Sequence, residues 1–174
     1  ARDRQKATQD YIDQLTELNA KMLEIKGNTA EAAVLRFDIQ NRQLGNLLRS
    51  TDDLEGQANL AIIREQLQVQ SELTDVYKQY SIAVGYAEIA QERLGIAQAT
   101  GAISELDYLY QTSNANKEKL AVLQRIAAAY AEIAARSRDP ADILKAEQIK
   151  LELEKVAAQT DLVADKFNKL FAEE

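Results

Sequence analysis

The chain has 174 residues, with 28 Asp and Glu against 21 Lys and Arg, and contains neither histidine nor cysteine. Those two absences exclude disulfides, thiolate nucleophiles, imidazole bases and His/Cys metal sites, and a net charge of −7 with both signs interspersed argues against direct binding to a nucleic-acid backbone. Six glycines, one proline and abundant Ala, Leu, Glu, Gln and Lys predict an all-α protein with few turns.

Residues 3–26 place Tyr11, Leu15, Leu18, Met22 and Ile25 in steps of four and three, the spacing of an apolar helical stripe. Gly27 suits the stop of that helix. Asn28 then starts the next, with Glu31 three residues on as in a capping box. The second helix is expected to turn Ala33, Phe37 and Leu44 inward and to end near Gly45. Residues 45–51 read as a connector, in which Ser50 or Thr51 caps a third helix. Asp52, Asp53 and Glu55 suit the positive end of its dipole, and Gly56 weakens its first turn.

From there the helical pattern runs without proline to about Thr100, a helix on the order of 70 Å long. Its seam is Val69, Leu73, Val76, Tyr80, Ala83, Ala87, Ala90, Leu94 and Ala97, again in alternating fours and threes. Gly85 and Gly95 lie inside it and predict either a kink or the close approach of another helix. Thr100-Gly101-Ala102-Ile103 is the clearest turn. Ser104 follows as a cap, with Asp107 at the third helical position. A fourth long helix is expected over 105–137. Its stretch from Thr112 to Lys119 is polar all round and reads as a solvated length of helix or as a break. Asp139-Pro140 restarts the chain as cap and first turn. The last helix carries Ile149, Leu153, Val156, Thr160, Val163, Phe167 and Leu170 in its seam, with Thr160 as the one polar member, and Glu173-Glu174 as a solvated tail. The expected organisation is an N-terminal hairpin over 1–48, a long hairpin over 49–138 with its turn near 100–103, and a C-terminal coiled-coil helix over 139–174.

One internal echo stands out. Ile82-Ala83-Val84-Gly85-Tyr86-Ala87-Glu88-Ile89-Ala90 and Ile126-Ala127-Ala128-Ala129-Tyr130-Ala131-Glu132-Ile133-Ala134 agree at seven of nine positions, 44 residues apart. Both read as Ala-rich faces suited to close helix packing.

Chemistry is hard to find in this pattern. No phosphate-binding glycine loop and no acidic Ca²⁺ loop is present, and a helical di-metal site of the Glu-x-x-His kind needs a histidine. No catalytic, cofactor-binding or metal residue is expected. Tyr77, Tyr80, Tyr86, Tyr108, Tyr110 and Tyr130 lie on the two central helices. They read as buried rings with wet hydroxyls rather than as a base-stacking or ligand platform. No apolar run approaches the roughly 18 residues of a membrane span. The chain does not begin with Met and reads as an excerpt of something longer.

Two stretches resemble the tail tape measure proteins of long-tailed bacteriophages. The first is Tyr11-Ile12-Asp13-Gln14-Leu15, then Gly27-Asn28-Thr29-Ala30-Glu31-Ala32-Ala33, Arg36-Phe37-Asp38-Ile39-Gln40-Asn41 and Leu44-Gly45-Asn46-Leu47. It is similar to that family's recurring helical hairpin, and departs from it at Asn41-Arg42-Gln43, where a Gly is expected. The second, from Ala157 to Phe167, is similar to the segment leading into the family's Phe-Ala-rich C-terminal region. The resemblance covers about 60 of the 174 residues. The resemblance implies a helical ruler, placed toward the C-terminal part of its protein. Such a ruler fills the tail tube lumen, sets tail length during assembly in the host cytoplasm, and leaves when DNA is ejected. The implied partners are further copies of itself, as a trimeric bundle, and the tail tube, tail tip and tail assembly chaperone proteins. An elongated coiled coil and an antiparallel bundle of hairpins both satisfy the seams.

A rival reading rests on Gly101-Ala102-Ile103-Ser104-Glu105-Leu106-Asp107, which looks like a turn of outer-membrane efflux proteins. It implies a helical-hairpin adaptor of an envelope export system, although the strands of those proteins are not evident here. An ordinary coiled-coil binding module is the broader form of the same idea.

Overall fold

The computed structural model describes residues 1–173, so Glu174 of the expected acidic tail lies outside the described residues. The fold is all-α: six helices, α1 (Arg2–Ile25), α2 (Thr29–Gln40), α3 (Arg42–Ser50), α4 (Leu54–Ala99), α5 (Glu105–Ala135) and α6 (Pro140–Glu173), and no strand among the described residues. Two compact units divide the chain. One holds Ala1–Asp75 with Arg136–Arg138, the other Val76–Ala135 with Asp139–Glu174.

In the first unit the chain reverses twice. At the end of α1, Gly27 takes φ +88°, its amide reaches the Glu24 carbonyl, and the Asn28 amide reaches that of Leu23 at 2.7 Å. This pair of bonds satisfies the last carbonyls of the helix and needs a left-handed residue at its centre. The second reversal repeats the motif with an unusual residue. Asp52 takes φ +52°, its amide bonds to the Arg49 carbonyl, and the Asp53 amide bonds to that of Leu48.

That second turn corrects the expected boundaries. The helix expected to run through to Gly45 breaks instead at Asn41, and α3 continues through Gly45 to Ser50. Asn41, at the place where the phage-like pattern expects a Gly, turns its side-chain amide onto the Phe37 carbonyl at 2.9 Å, so a local side-chain bond competes with the helix there. Residues 45–51 are therefore mostly helix, not connector. Ser50 and Thr51 bond back to the Leu47 carbonyl and finish α3. Asp53 is the cap of α4, its carboxylate accepting from the Gly56 amide at 2.8 Å. Gly56 has a steric role: a Cβ there would lie 2.6 Å from Leu48 Cδ2.

The capping box expected at Asn28 does not form, since the Asn28 side chain makes no cap bond. Asp75 on α4 supplies the acceptor from a distance, taking the Thr29 hydroxyl and the Ala30 amide. Small residues let the helices approach closely. Ala20 and Ala32 are fully buried, and Ala30, Val69 and Leu73 complete the core.

The face that α1 turns inward differs from the expected one. Its polar edge is clamped to the following helices by Arg42 on Asp13 at 2.7 Å and Arg36 on Glu17 at 2.9 Å, with Glu24 also on Arg36. Tyr11, Leu15, Leu18, Met22 and Ile25 all stay exposed, as does Leu44. The four-three rhythm locates the helix correctly, but burial here follows the charge pairs and Ala20.

The second unit is antiparallel about Gly101 and again about the α5–α6 link. Gly101, at φ +77°, repeats the reversal of Gly27, with the Ala102 amide on the Ala97 carbonyl at 2.8 Å. Ser104 caps α5 as expected, accepting from the Asp107 amide at 3.0 Å. Asp139 caps α6 through the Ala141 amide, also at 3.0 Å. α5 is continuous through the polar stretch, so no break occurs there, and Thr112 and Ser113 are buried instead of solvated. The core is Tyr80, Leu123, Tyr130, Ala134 and Ile149. Thr160 joins it by returning its hydroxyl to the Val156 carbonyl at 2.8 Å, which removes the cost of burying a polar group.

Candidate functional site

Of the α4 seam, Val69 and Leu73 are buried in the first unit and Tyr80 in the second. In that second unit Val76, Ala83, Ala87, Leu94 and Ala97 are half-buried, and Ala90 is exposed. On α6, Ile149 is buried and Leu153, Val156, Val163, Phe167 and Leu170 are half-buried. Tyr110 meets Phe167 at 5.5 Å between ring centres, and Phe167 stacks on Phe171 at 5.8 Å.

Two features of the second unit concentrate polar groups inside apolar walls. The first is a tyrosine cluster. Tyr80 packs 6.1 Å from Tyr77, which meets Tyr130 edge-on at 6.3 Å. The Tyr80 hydroxyl donates to Glu152 of α6 at 2.8 Å. Lys145 lies over the Tyr77 ring, 3.5 Å from its centre, a cation–π contact that also ties α6 to α4. Burial, helped by the Glu152 carboxylate, pushes the Tyr80 phenol well above its ordinary value of 10.0, and burial raises Tyr130 as well. Both phenols are therefore neutral at pH 7, which suits packing and disfavours nucleophilic or base chemistry.

The second is an open groove of about 980 Å³ walled by α4, α5 and α6. Its lining includes the small and aliphatic residues Ala83 and Ala87 of α4, Leu109, Val122 and Leu123 of α5, and Val163 of α6. Glu88 and Glu92 line it from α4, and Lys119 and Lys166 from the other two helices. Gln91 of α4 also lines it. Its amide nitrogen donates to the Tyr108 hydroxyl at 3.0 Å and to Thr112 at 3.3 Å, while its amide oxygen is buried without a partner in the protein. Turning the amide over would exchange which end is unpaired and leave one polar atom wanting either way. No Cβ neighbour lies within 4 Å of Gly85 or Gly95. Of the two expectations for these glycines, a kink or the close approach of another helix, the close approach is not present within the chain, and Ala83, Ala87 and Ala90 of the same helix line the open groove.

Gln91, Thr112, Glu152 and Lys145 escape a reading of periodicity, because each is polar and lies beside the seams or outside them. Among the described residues, no group of three or more carboxylates is placed to hold a metal ion, and no helix is long and apolar enough to cross a membrane. Compared with known proteins, the chain matches no family model, no curated protein and no solved structure.

Proposed function

We propose that this chain is a non-catalytic structural protein that works by packing its helical hairpins against other helices. The observation that supports this best is the α4–α5 hairpin. It is closed at Gly101, joined across the turn by Gln91, Tyr108 and Thr112, and flanked by a groove lined in part by small and aliphatic residues. An apolar groove between helices can seat another helix, since ridges of side chains fit such grooves and dispersion contacts grow with the number of atoms brought together.

The hairpin form of this role is an adaptor, and the turn from Gly101 to Asp107, similar to that of outer-membrane efflux proteins, supports an envelope export setting. Its test is a cysteine introduced at Ala102, in a chain with none of its own. Crosslinking in cells to an export component, with loss of export when the turn is replaced, is the expected result. Absence of any such crosslink together with unchanged export would overturn it.

The ruler form is supported by the likeness of residues 11–47 and 157–167 to tail tape measure proteins. In that role the chain lies in the tail tube lumen with its hairpins opened out, in contact with tube, tip and chaperone proteins. In-frame deletion of α6 should then shorten tails by about 1.5 Å for each residue removed, and tails of unchanged length would exclude it. The reversals at Gly27, Asp52 and Gly101 favour the hairpin form, because a folded-back chain does not convert residue number into length.

A further inference from the structure

α1 carries the most regular apolar stripe of the first unit and leaves it bare. Tyr11, Leu15, Leu18, Met22 and Ile25 are all exposed, Ile25 at 79% and Leu18 at 58%, and Ile12 beside them is exposed too. The ion pairs of Asp13 and Glu17 with Arg42 and Arg36 hold the opposite edge of α1, so the stripe is presented outward by a fixed helix.

We infer that this stripe is the seat of a second copy of the chain, docked through its own α1 in antiparallel orientation. Area is the first argument. Six such side chains at roughly 100 Å² each offer on the order of 600 Å² per copy, so pairing removes about 1,200 Å², the lower bound of a specific interface. Charge is the second. In heptad terms Lys21 and Lys26 flank the stripe on opposite sides, five residues apart. A parallel pair sets Lys21 of one copy against Lys26 of the other, twice over, with no carboxylate at either flanking position to relieve it. An antiparallel pair centred between Leu15 and Leu18 sets Lys21 against Gln14 and Lys26 against Gln5. The same register packs Leu15 on Leu18, Tyr11 on Met22, and Thr8 on Ile25. Met against Tyr is a favourable sulfur–aromatic contact.

The inference rests on the folded-back chain of the hairpin form, since the ruler form implies opened hairpins in a trimeric bundle; its test reads the assembly of the folded chain and is independent of any export assay. Its test is the mass of the full chain by analytical ultracentrifugation. A concentration-dependent dimer is expected. The double substitution Leu15→Glu with Leu18→Glu should yield monomer with unchanged helical circular dichroism, since both positions are exposed in the single chain. Ile82→Glu with Tyr86→Glu, on a different exposed face, should leave the dimer intact. Orientation is read by cysteine crosslinking. Ile25→Cys mixed with Thr8→Cys should give a crosslinked dimer, whereas Ile25→Cys alone should not. A monomer at every soluble concentration, a dimer indifferent to Leu15→Glu with Leu18→Glu, or efficient crosslinking of Ile25→Cys to itself would each overturn the proposal.

Discussion

Asp75, midway along α4, caps the start of α2: its carboxylate takes the Ala30 amide at 3.2 Å and the Thr29 hydroxyl beside it. The first amides of a helix lack partners inside it, and a carboxylate there both accepts their hydrogens and meets the positive end of the helix dipole. Here the acceptor lies 45 residues away. Asp75→Ala should destabilise the chain by about 1 kcal/mol, and Asp75→Asn by less, because one acceptor oxygen remains. Thermal unfolding gives the cost. Hydrogen exchange should show the loss first at Thr29 and Ala30.

Asp52 invites the opposite kind of substitution. It occupies the left-handed position that Gly27 and Gly101 fill elsewhere. A side chain there crowds its own backbone, which glycine relieves. Asp52→Gly should stabilise by up to about 1 kcal/mol, and Gly101→Ala should destabilise by a similar amount. Opposite shifts in melting temperature would bear out both.

Tyr86 and Tyr130 occupy the same place in two nearly identical nonapeptides, yet Tyr86 is 72% exposed and Tyr130 only 2%. Tyr130→Ala empties part of the core and should cost about 3–5 kcal/mol, by analogy with other buried aromatic side chains. Tyr86→Ala should change stability by no more than about 0.5 kcal/mol. Equal effects in denaturant unfolding would contradict the burial pattern.

The tyrosine cluster predicts alkaline sensitivity. Burial raises the Tyr80 and Tyr130 phenols above their ordinary 10.0, so the folded chain holds those protons more tightly than the unfolded one. Their contribution is intact below pH 10 and is lost as pH rises from there through the raised folded values. Tyrosinate absorbance should show these two titrating late or together with unfolding. Tyr80→Phe should remove part of that dependence and, with the bond to Glu152 gone, cost about 1 kcal/mol near neutrality.

Acid acts on the other unit. Hydrogen bonds from Arg42 and Arg36 hold the Asp13 and Glu17 carboxyls below their ordinary 3.8 and 4.5. Their contribution is present above those ordinary values and lost as pH falls through the lowered ones. Protease cleavage within α1 should accelerate on acidification. Arg42→Ala with Arg36→Ala should produce the same acceleration at neutral pH.

Much of this fold was legible locally. Six glycines and one proline in a helix-forming composition left few places to turn, and Gly27, Gly101, Ser104 and Asp139-Pro140 marked turns and caps correctly because their chemistry is local. The break at Asn41 and the turn at Asp52 were missed, since neither residue is a strong stop signal and both depend on neighbouring side chains or on the cap that follows.

The candidate site was less legible. The seams located helices, and on α6 they also located the inward face. On α1 an equally regular stripe faces outward, because three carboxylates on its other edge found arginines on the following helices. In the α4 nonapeptide Tyr86 is exposed, whereas in its α5 counterpart Tyr130 and Ala134 are buried. Periodicity states which faces are able to pack; it carries no information about how many neighbours arrive. From sequence alone came an all-α chain, its main turns and the lack of His and Cys chemistry, all set by composition and local backbone preference. Which stripe is buried, where Asp75 and Glu152 find partners, and which of two similar tyrosines is covered were decided only in three dimensions, where charge pairs and helix packing compete for the same surfaces.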